Sequence, residues 1–533
     1  MCHCSGAPQC REPLLPPPEA VPARRDRLRS ERAAGGGGAI AEVASIVRLA
    51  MPMVGAGLLI YMRSLVSMLF LGQLGRLPLA GGSLALGFAN ITGYSVLSGL
   101  AAGMDPVCGQ AFGAGRTSVL TAALRRTVML LLAASIPISL LWVAMYRVLV
   151  ATGQDPDIAA CAYEFILCSL PDLVVQSFLH PVRVYLRAQS ITVPLTYAAA
   201  AALLLHVPIN FLLVQSLRLG IRGVAIGAVC TNINFLLFLV AYACLSGLIH
   251  GNDDGDDVKA AACAVPADEG AMDWGCLVKL SVHSCMSVCL EWWWYEIMVL
   301  LCGVLADPKA AVAAMGILIQ TTSLVYIFPH SLSCAVSTRV GHELGAGRPE
   351  RARLVARVGL VCGAVLGVVA FAFAASMRLA WARMFTTDAA ILQLASSALP
   401  ILGAAELGNC PQTAGCGVLR GSARPGKAAM INVSAFYGVG MPAALALAFW
   451  PARLDFRGMW AGMLAAQLVC AALMLLSVQR TDWTEQAVRA RELTGAVATV
   501  VATAVDDCHS KSCHADESKV HVDSGLLVVT VLS

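Results

Sequence analysis

Apolar residues dominate the chain in long blocks rather than in the short alternations of a soluble domain. No charged residue interrupts Leu77 to Met104, Thr127 to Tyr146, Ala188 to Leu217, Gly223 to Asn252 or Ala310 to Thr338. The same holds from Val358 to Met377, Ala428 to Ala452 and Gly458 to Gln479. Each run matches or exceeds the roughly 20 residues that cross a hydrocarbon core as a helix. Four more segments, at about 49–74, 160–182, 277–305 and 389–417, have the same character apart from isolated charges such as Arg63, Glu291, Glu296 and Glu406. In lipid every backbone polar group needs an internal partner, so these segments are expected to be helices. The pattern predicts an all-α polytopic membrane protein with twelve transmembrane helices.

The blocks also repeat. Ala85-Leu86-Gly87 running to Gly113-Ala114-Gly115-Arg116 returns as Ala314-Met315-Gly316 running to Gly345-Ala346-Gly347-Arg348. Leu170-Pro171 answers to Leu399-Pro400, Pro208 to Pro442, Arg218 to Arg453, and Arg222-Gly223 to Arg457-Gly458, at offsets of 229 to 235. The chain therefore reads as two pseudo-symmetric six-helix lobes. An even number of spans in each puts the pseudo-axis along the membrane normal, and two related bundles around a central site are what alternating access requires. Fifteen Lys and Arg lie in loops on the side of the termini against nine opposite, which places both termini in the cytosol.

These patterns divide the chain into a disordered tail at 1–42, an N-lobe at 43–250, a polar linker at 251–273, a C-lobe at 274–480 and a tail at 481–533. The linker carries Asp253, Asp254, Asp256 and Asp257. No apolar core of a cleavable signal peptide precedes residue 40, so the first span is expected to direct insertion. Charged residues make up only 13% of the chain, and the net charge of +4 is dispersed over loops, which argues against nucleic acid as a partner. Of twenty cysteines, Cys230, Cys285, Cys289, Cys302 and Cys362 fall in apolar spans, where a thiol acts as a small hydrophobe. Cys508-His509 and Cys513-His514 sit in a segment too poor in apolar residues to fold around a metal, so no metal or cofactor is expected. Neither a His-Glu-x-x-His motif nor a Gly-x-Ser-x-Gly turn is present, and the chain is not read as an enzyme.

Pro52, Pro137, Pro194, Pro208, Pro329, Pro411 and Pro442 punctuate spans and predict bent helices beside a cavity. The sharper signal is acid within the bilayer, where a carboxylate at mid-span costs about 2.5–3.5 kcal/mol and marks function. Glu291 and Glu296 lie in the seventh span and Glu406 in the tenth; these three are the candidate proton-coupling residues. At about 100° per residue Glu291 and Glu296 point to different sides of one helix, which favours Glu291 for the cavity. Glu406, Asn409 and Gln412 form a polar stripe. Trp292, Tyr295, Gln320, Asn409 and Gln412, with Asn90 and Tyr94 of the second span, are the candidates to line a substrate cavity. Trp292 to Trp294 face several directions, so at most two can do so. Asp105 beside Pro106, and Asp172 beside Pro171, read as interfacial or helix-terminal.

The segments Cys108-Gly109-Gln110-Ala111-Phe112-Gly113-Ala114, Cys289-Leu290-Glu291-Trp292-Trp293 and Pro329-His330-Ser331-Leu332-Ser333 resemble those of plant multidrug and toxic compound extrusion (MATE) transporters, the DETOXIFICATION proteins. So do Ser337-Thr338-Arg339-Val340, Glu343-Leu344-Gly345-Ala346-Gly347 and Val418-Leu419-Arg420-Gly421, and the resemblance spans roughly residues 42–480. It implies a V-shaped pair of lobes exporting small organic solutes in exchange for protons, or sodium in some relatives, with Glu291 in proton coupling. Family members often carry an acid in the tenth span where this chain has Asn409, with Glu406 one turn earlier. The acid of some bacterial relatives has no match in the first span, which favours protons over sodium. A sodium-coupled exchanger, and a lipid flippase or channel of related architecture, stand as alternatives. The protein is read as a monomer in the lipid bilayer of an endomembrane (vacuole, late endosome or Golgi) or of the plasma membrane.

Overall fold

The computed structural model describes residues 21–246, 274–450 and 454–495, with side chains from Gly38 onward. Among them, twelve helices are long and apolar enough to cross a membrane. The N-lobe holds α1 (Gly38–Gln73), α2 (Arg76–Gly113), α3 (Thr117–Val143), α4 (Pro156–Ala188), α5 (Val193–Ser216) and α6 (Ile221–Leu245). The C-lobe holds α7 (Trp274–Cys302), α8 (Pro308–Gly345), α9 (Pro349–Ser376), α10 (Ala389–Gly421), α11 (Pro425–Phe449) and α12 (Phe456–Gln479). Mates match in length: α2 and α8 have 38 residues each, and α4 and α10 have 33.

Local chemistry sets the helix starts. Asp155 caps α4 through the N–H groups of Asp157 and Ile158, and Asp388 caps α10 through those of Ala390 and Ile391. Aligned on these caps, Pro171 and Pro400 fall about one turn apart, so the matching Leu-Pro pairs are not structural mates. Pro194 occupies the first turn of α5, where a missing N–H costs nothing, and so it starts a helix instead of bending one. The bends appear as π-helical turns at Asn90–Tyr94, Phe211–Ser216 and Val433–Gly440, the latter two next to Pro208 and Pro442. A proline removes one rung of the ladder, and a wider turn re-registers the carbonyls around it.

Two boundaries differ from the sequence expectation. The first helix begins at Val21, well inside the stretch 1–42 read as a disordered tail. Beyond α12, within the expected C-terminal tail, a thirteenth helix, α13 (Trp483–Leu493), packs Trp483, Ala487 and Ala490 against the C-lobe. The acidic linker and the Cys-His pairs at 508–514 lie outside the described residues.

The lobes meet through α1, α2, α7 and α8. Their ends are exchanged: Ile46, Leu49 and Ala50 of α1 are buried in a C-lobe cluster, while Leu277 and Leu280 of α7 are buried in an N-lobe cluster. Residues 46 and 277, and 49 and 280, are mates in the register of the duplication. Between them α2 crosses α8 at Gly109 and Gly341, also mates; a Cβ on Gly109 would stand 3.5 Å from the Gly341 Cα. A Cβ on Gly113 would run into the His342 backbone, and one on Gly345 into that of Gln110. Small residues let backbones approach this closely, and that contact replaces the hydrophobic drive absent between helices in lipid.

Gly345→Leu is therefore expected to lower the thermal unfolding midpoint in detergent, since overpacking costs typically about 1–3 kcal/mol. Gly316→Ala, with nothing within 4 Å of the added atom, should leave it unchanged or raise it slightly. Equal midpoints for the two variants would contradict a tight crossing.

Candidate functional site

α7 and α10 bring their acids into the interior of the C-lobe. Glu291 is buried, as are Glu406, Asn409 and Gln412. The two carboxyls lie within electrostatic range of each other, and Tyr295 of α7 is within range of both. Tyr326 of α8 and Arg420 of α10 also lie within range of Glu291. Glu406 is held from its own helix: Asn409 Nδ2 donates to its Oε2 at 2.8 Å, and the Cys410 thiol approaches the same oxygen at 3.6 Å. Asn409 Oδ1 in turn accepts from Thr413 and from Gln467 of α12, each at 3.4 Å. Gln412 accepts from Thr413 at 3.2 Å. The stripe read at 406, 409 and 412 is thus a connected hydrogen-bond run.

Glu291 has no such escort, since no described side chain donates a hydrogen bond to it within standard geometry. Its surroundings are two phenols, a second acid and a guanidinium within electrostatic reach. Among the described residues Glu291 thus has no hydrogen-bond donor, and Arg420 is the cation within electrostatic range of it.

The other sequence candidates are distributed differently. Glu296 is half-buried, and Trp292 is 46% exposed, so neither joins the buried pair. Trp293 donates to the Ile91 carbonyl of α2 at 3.3 Å and is a contact between lobes. Trp294 is fully buried against Phe436 and Tyr437. Gln320 accepts from the Tyr61 hydroxyl of α1 at 3.2 Å, again across the lobes. Asn90 opens the π-helical turn of α2 and is half-buried. Tyr94 belongs to a separate N-lobe cluster.

That cluster centres on Asp172, which is buried at mid-helix and not interfacial as the adjacent proline suggested. It accepts from Asn232 at 2.8 Å and from Gln176 at 3.4 Å, and Tyr94 lies within electrostatic range of it. Arg63 donates to Asn232 at 3.2 Å. Beside them His206, Ser67, Thr231 and Asn210 form a second hydrogen-bonded group. The helix α4 extends well past the ends that Pro171 seemed to mark, which is why Asp172 lies deep.

Asp105 is also buried. One of its carboxylate oxygens pairs with Arg187 of α4 in its own lobe, and the other with Arg420 of α10 at 3.3 Å, across the interface. Arg187 and Arg420 are mates in the duplication, so one acid serves both halves. Gln110 Nε2 donates to the Gly421 carbonyl at 2.9 Å, and His342 Nε2 donates to that of Ala188 at 2.6 Å. At the same end Arg339 makes a two-pronged pair with Glu42, at 2.8 and 2.9 Å. Arg116 donates to the carbonyl of Thr494, beyond α13, at 2.8 Å.

Because Asp172 satisfies Asn232 and Gln176 together, Asp172→Leu should destabilise the protein by about 1–3 kcal/mol per donor left unpaired. Asp172→Asn, which keeps acceptor capacity, should cost much less. Thermal unfolding in detergent measures both, and equal stability of the two would show that these bonds do not hold the N-lobe together.

Comparison with known proteins bears on this geometry. The MatE family model matches the chain twice, over residues 52–212 and 284–445, in the register of the duplication. Protein DETOXIFICATION 49 of Arabidopsis thaliana is 55% identical over 455 residues, covering 85% of this chain and 88% of the relative. Protein DETOXIFICATION 52 of the same plant is 54% identical over 453 residues, covering 85% and 87%. The crystal structure of the eukaryotic MATE transporter AtDTX14 superposes with a TM-score of 0.78 at 30% identity, over 86% of this chain and 100% of that one. VcmN of Vibrio cholerae, at 16% identity and a TM-score of 0.71, shares the fold.

Proposed function

The chain belongs to the MatE family of membrane transporters, and from that premise we propose that it is a secondary antiporter exporting organic solutes from the cytosol in exchange for protons. The observation that carries the proposal is the buried pair Glu291 and Glu406, held by two helices of one lobe within electrostatic reach of each other. Two carboxyls in one low-dielectric site resist ionising together, so the pair takes up a proton that either member can hold. Glu406 is escorted by Asn409 and Cys410 and keeps a fixed geometry; Glu291, without a donor of its own, is the one whose charge changes with each cycle. Glu296, half-buried on another side of α7, is a subsidiary proton site facing outward.

Coupling requires that proton and solute favour different states, because a ligand with equal affinity for both shifts nothing. One proton supplies about 2.3 kcal/mol per 100 mV and about 1.4 kcal/mol per pH unit. A hundredfold solute gradient costs about 2.7 kcal/mol. A single exchanged proton is energetically sufficient for a neutral solute.

The cargo is an organic molecule, for which the DETOXIFICATION names of the relatives are support. Its contacts are Tyr295, Asn409 and Gln412 beside the acids, Gln320 at the lobe contact with Tyr61, Trp292 on the exposed side of α7, and Asn90 and Tyr94 from the N-lobe. Dispersed Lys and Arg on one side support a topology with both termini in the cytosol. The protein works as a monomer in an endomembrane or the plasma membrane.

In proteoliposomes, Glu291→Gln is expected to abolish solute exchange driven by a pH gradient while leaving insertion and folding intact. Glu406→Gln should reduce it strongly. Exchange in the unaltered protein should vanish when the proton gradient is collapsed and persist when only sodium is equalised. Full pH-driven activity of Glu291→Gln, or dependence on sodium alone, overturns the assignment.

A further inference from the structure

Arg420 stands between the acid assigned to the proton and the contact that closes the lobes. Its guanidinium pairs with Asp105 of α2 at 3.3 Å and lies within electrostatic range of Glu291. A small cavity separates it from α7; Ser284, Ser287, Val288, Cys416 and Arg420 line it, one turn below Glu291. The Ser284 hydroxyl is 3% exposed and has no hydrogen-bond partner among the described residues. The path from Glu291 to the lobe interface is thus short, polar at its far end and occupied by one long cationic side chain.

The charges facing this path can be counted element by element. Arg420 faces Asp105 from α2, Arg187 from α4, Glu291 from α7, Cys334 and Tyr326 from α8, and Cys416 on its own helix. Glu291 faces Glu406, Tyr295, Tyr326 and Arg420. His330 approaches the Cys334 thiol at 3.7 Å. Around the interface itself the charged groups are three guanidiniums, Arg183, Arg187 and Arg420, and the carboxylate of Asp105, with the Cys334 thiol within range of all three cations. Glu291 is the nearby acid that brings Arg420 into balance.

We propose that Arg420 is the positioning residue that couples the proton on Glu291 to opening of the lobe contact at Asp105. With Glu291 ionised, Arg420 is compensated from both ends, by Asp105 and by Glu291, and the network closes the crossing of α2 and α8. When Glu291 takes a proton, Asp105 is left as the carboxylate that Arg420 shares with Arg187, and an uncompensated guanidinium in a low-dielectric interior is costly. Parting the lobes at this end admits water to the surplus guanidinium and relieves that cost. The proton-loaded protein therefore opens toward the side of the Arg-rich loops, while the empty, ionised one stays shut. An exchanger needs this asymmetry, because an empty carrier that opened freely would let solute move without a proton. The inference rests on the antiporter reading and adds to it the route by which protonation reaches the gate.

Hydrogen–deuterium exchange on the intact protein in nanodiscs tests it at the ends of α2 (residues 105–113) and α8 (residues 337–345). Glu291→Gln, which neutralises the acid permanently, should raise exchange in both segments about tenfold. The double variant Glu291→Gln with Arg420→Gln removes the surplus cation and should return exchange to the unaltered level. Glu291→Gln with Arg420→Lys keeps the charge and should stay raised. Should Arg420→Gln fail to fold, the unaltered protein answers alone. Its exchange at these segments, corrected for the intrinsic pH dependence of amide exchange, should rise as pH falls, and Glu291→Gln should be flat. Unchanged exchange in Glu291→Gln, or a raised level that survives Arg420→Gln, overturns the coupling through Arg420. Liposome transport read in parallel keeps the two levels apart: a Glu291→Gln variant that is inactive yet unchanged in exchange sinks only this inference, whereas one that still transports sinks the antiporter reading.

Discussion

A buried carboxylate that two lobes must share constrains the rest of this molecule. Asp105 meets Arg187 from its own lobe and Arg420 from the other, beside the glycines that allow α2 and α8 to touch backbone to backbone. Close packing and charge depend on each other here. The glycine contacts bring the interface into a region with little room for water, and burial makes each unbalanced charge expensive. Further from the axis, Arg339 with Glu42 and Arg116 with the carbonyl of Thr494 tie the same end together, the second through α13. The closed end thus combines charges, which solvent can relieve, with the apolar contacts of the exchanged α1 and α7 ends, which it cannot.

The lobes have the same architecture and different chemistry. In the N-lobe the buried acid Asp172 is bonded by an amide from Asn232 and another from Gln176, with Arg63 behind Asn232. Its charge has a prepared setting. In the C-lobe Glu406 has a comparable setting from Asn409, but Glu291 does not. The buried acids of the two lobes thus differ in hydrogen-bond supply.

Much of this was legible in the residues. Long uncharged runs gave the twelve spans, because lipid forces helices, although α1, α2, α3 and α9 each extend roughly nine to eleven residues beyond the run at one end. The angle between Glu291 and Glu296 separated an interior acid from a half-buried one, and the spacing of Glu406, Asn409 and Gln412 gave a run that is in fact hydrogen-bonded. Less legible was anything that depends on contacts between distant segments. Asp172 and Asp105 were assigned to helix ends on the evidence of neighbouring prolines, yet α4 tolerates Pro171 and Pro181 inside 33 residues, and Asp105 meets cations brought from α4 and α10. α13 was hidden by its polarity, since a surface helix with Trp483, Ala487 and Ala490 as its only buried stripe looks like tail in a hydropathy profile. The one signal that could have exposed the Asp105 site is the duplication itself: Arg187 and Arg420 are mates, and paired cations near a pseudo-axis need an anion between them.

That duplication also explains why one half can be the moving charge. In the register set by Ile46 with Leu277 and Leu49 with Leu280, Glu291 answers to Ile60; in the register that Gly109 and Gly341 set for α2 and α8, Asp105 answers to Ser337, whose hydroxyl is buried without a partner among the described residues. A strictly symmetric protein would place an acid on both sides of the axis. Here Asp105 alone faces Arg187 and Arg420, and on the proposed antiporter reading Glu291, in one lobe, supplies a further charge in a form that a proton can cancel. Twofold geometry makes the two states possible, since the lobes can part at either end; broken symmetry in charge lets a single proton choose between them.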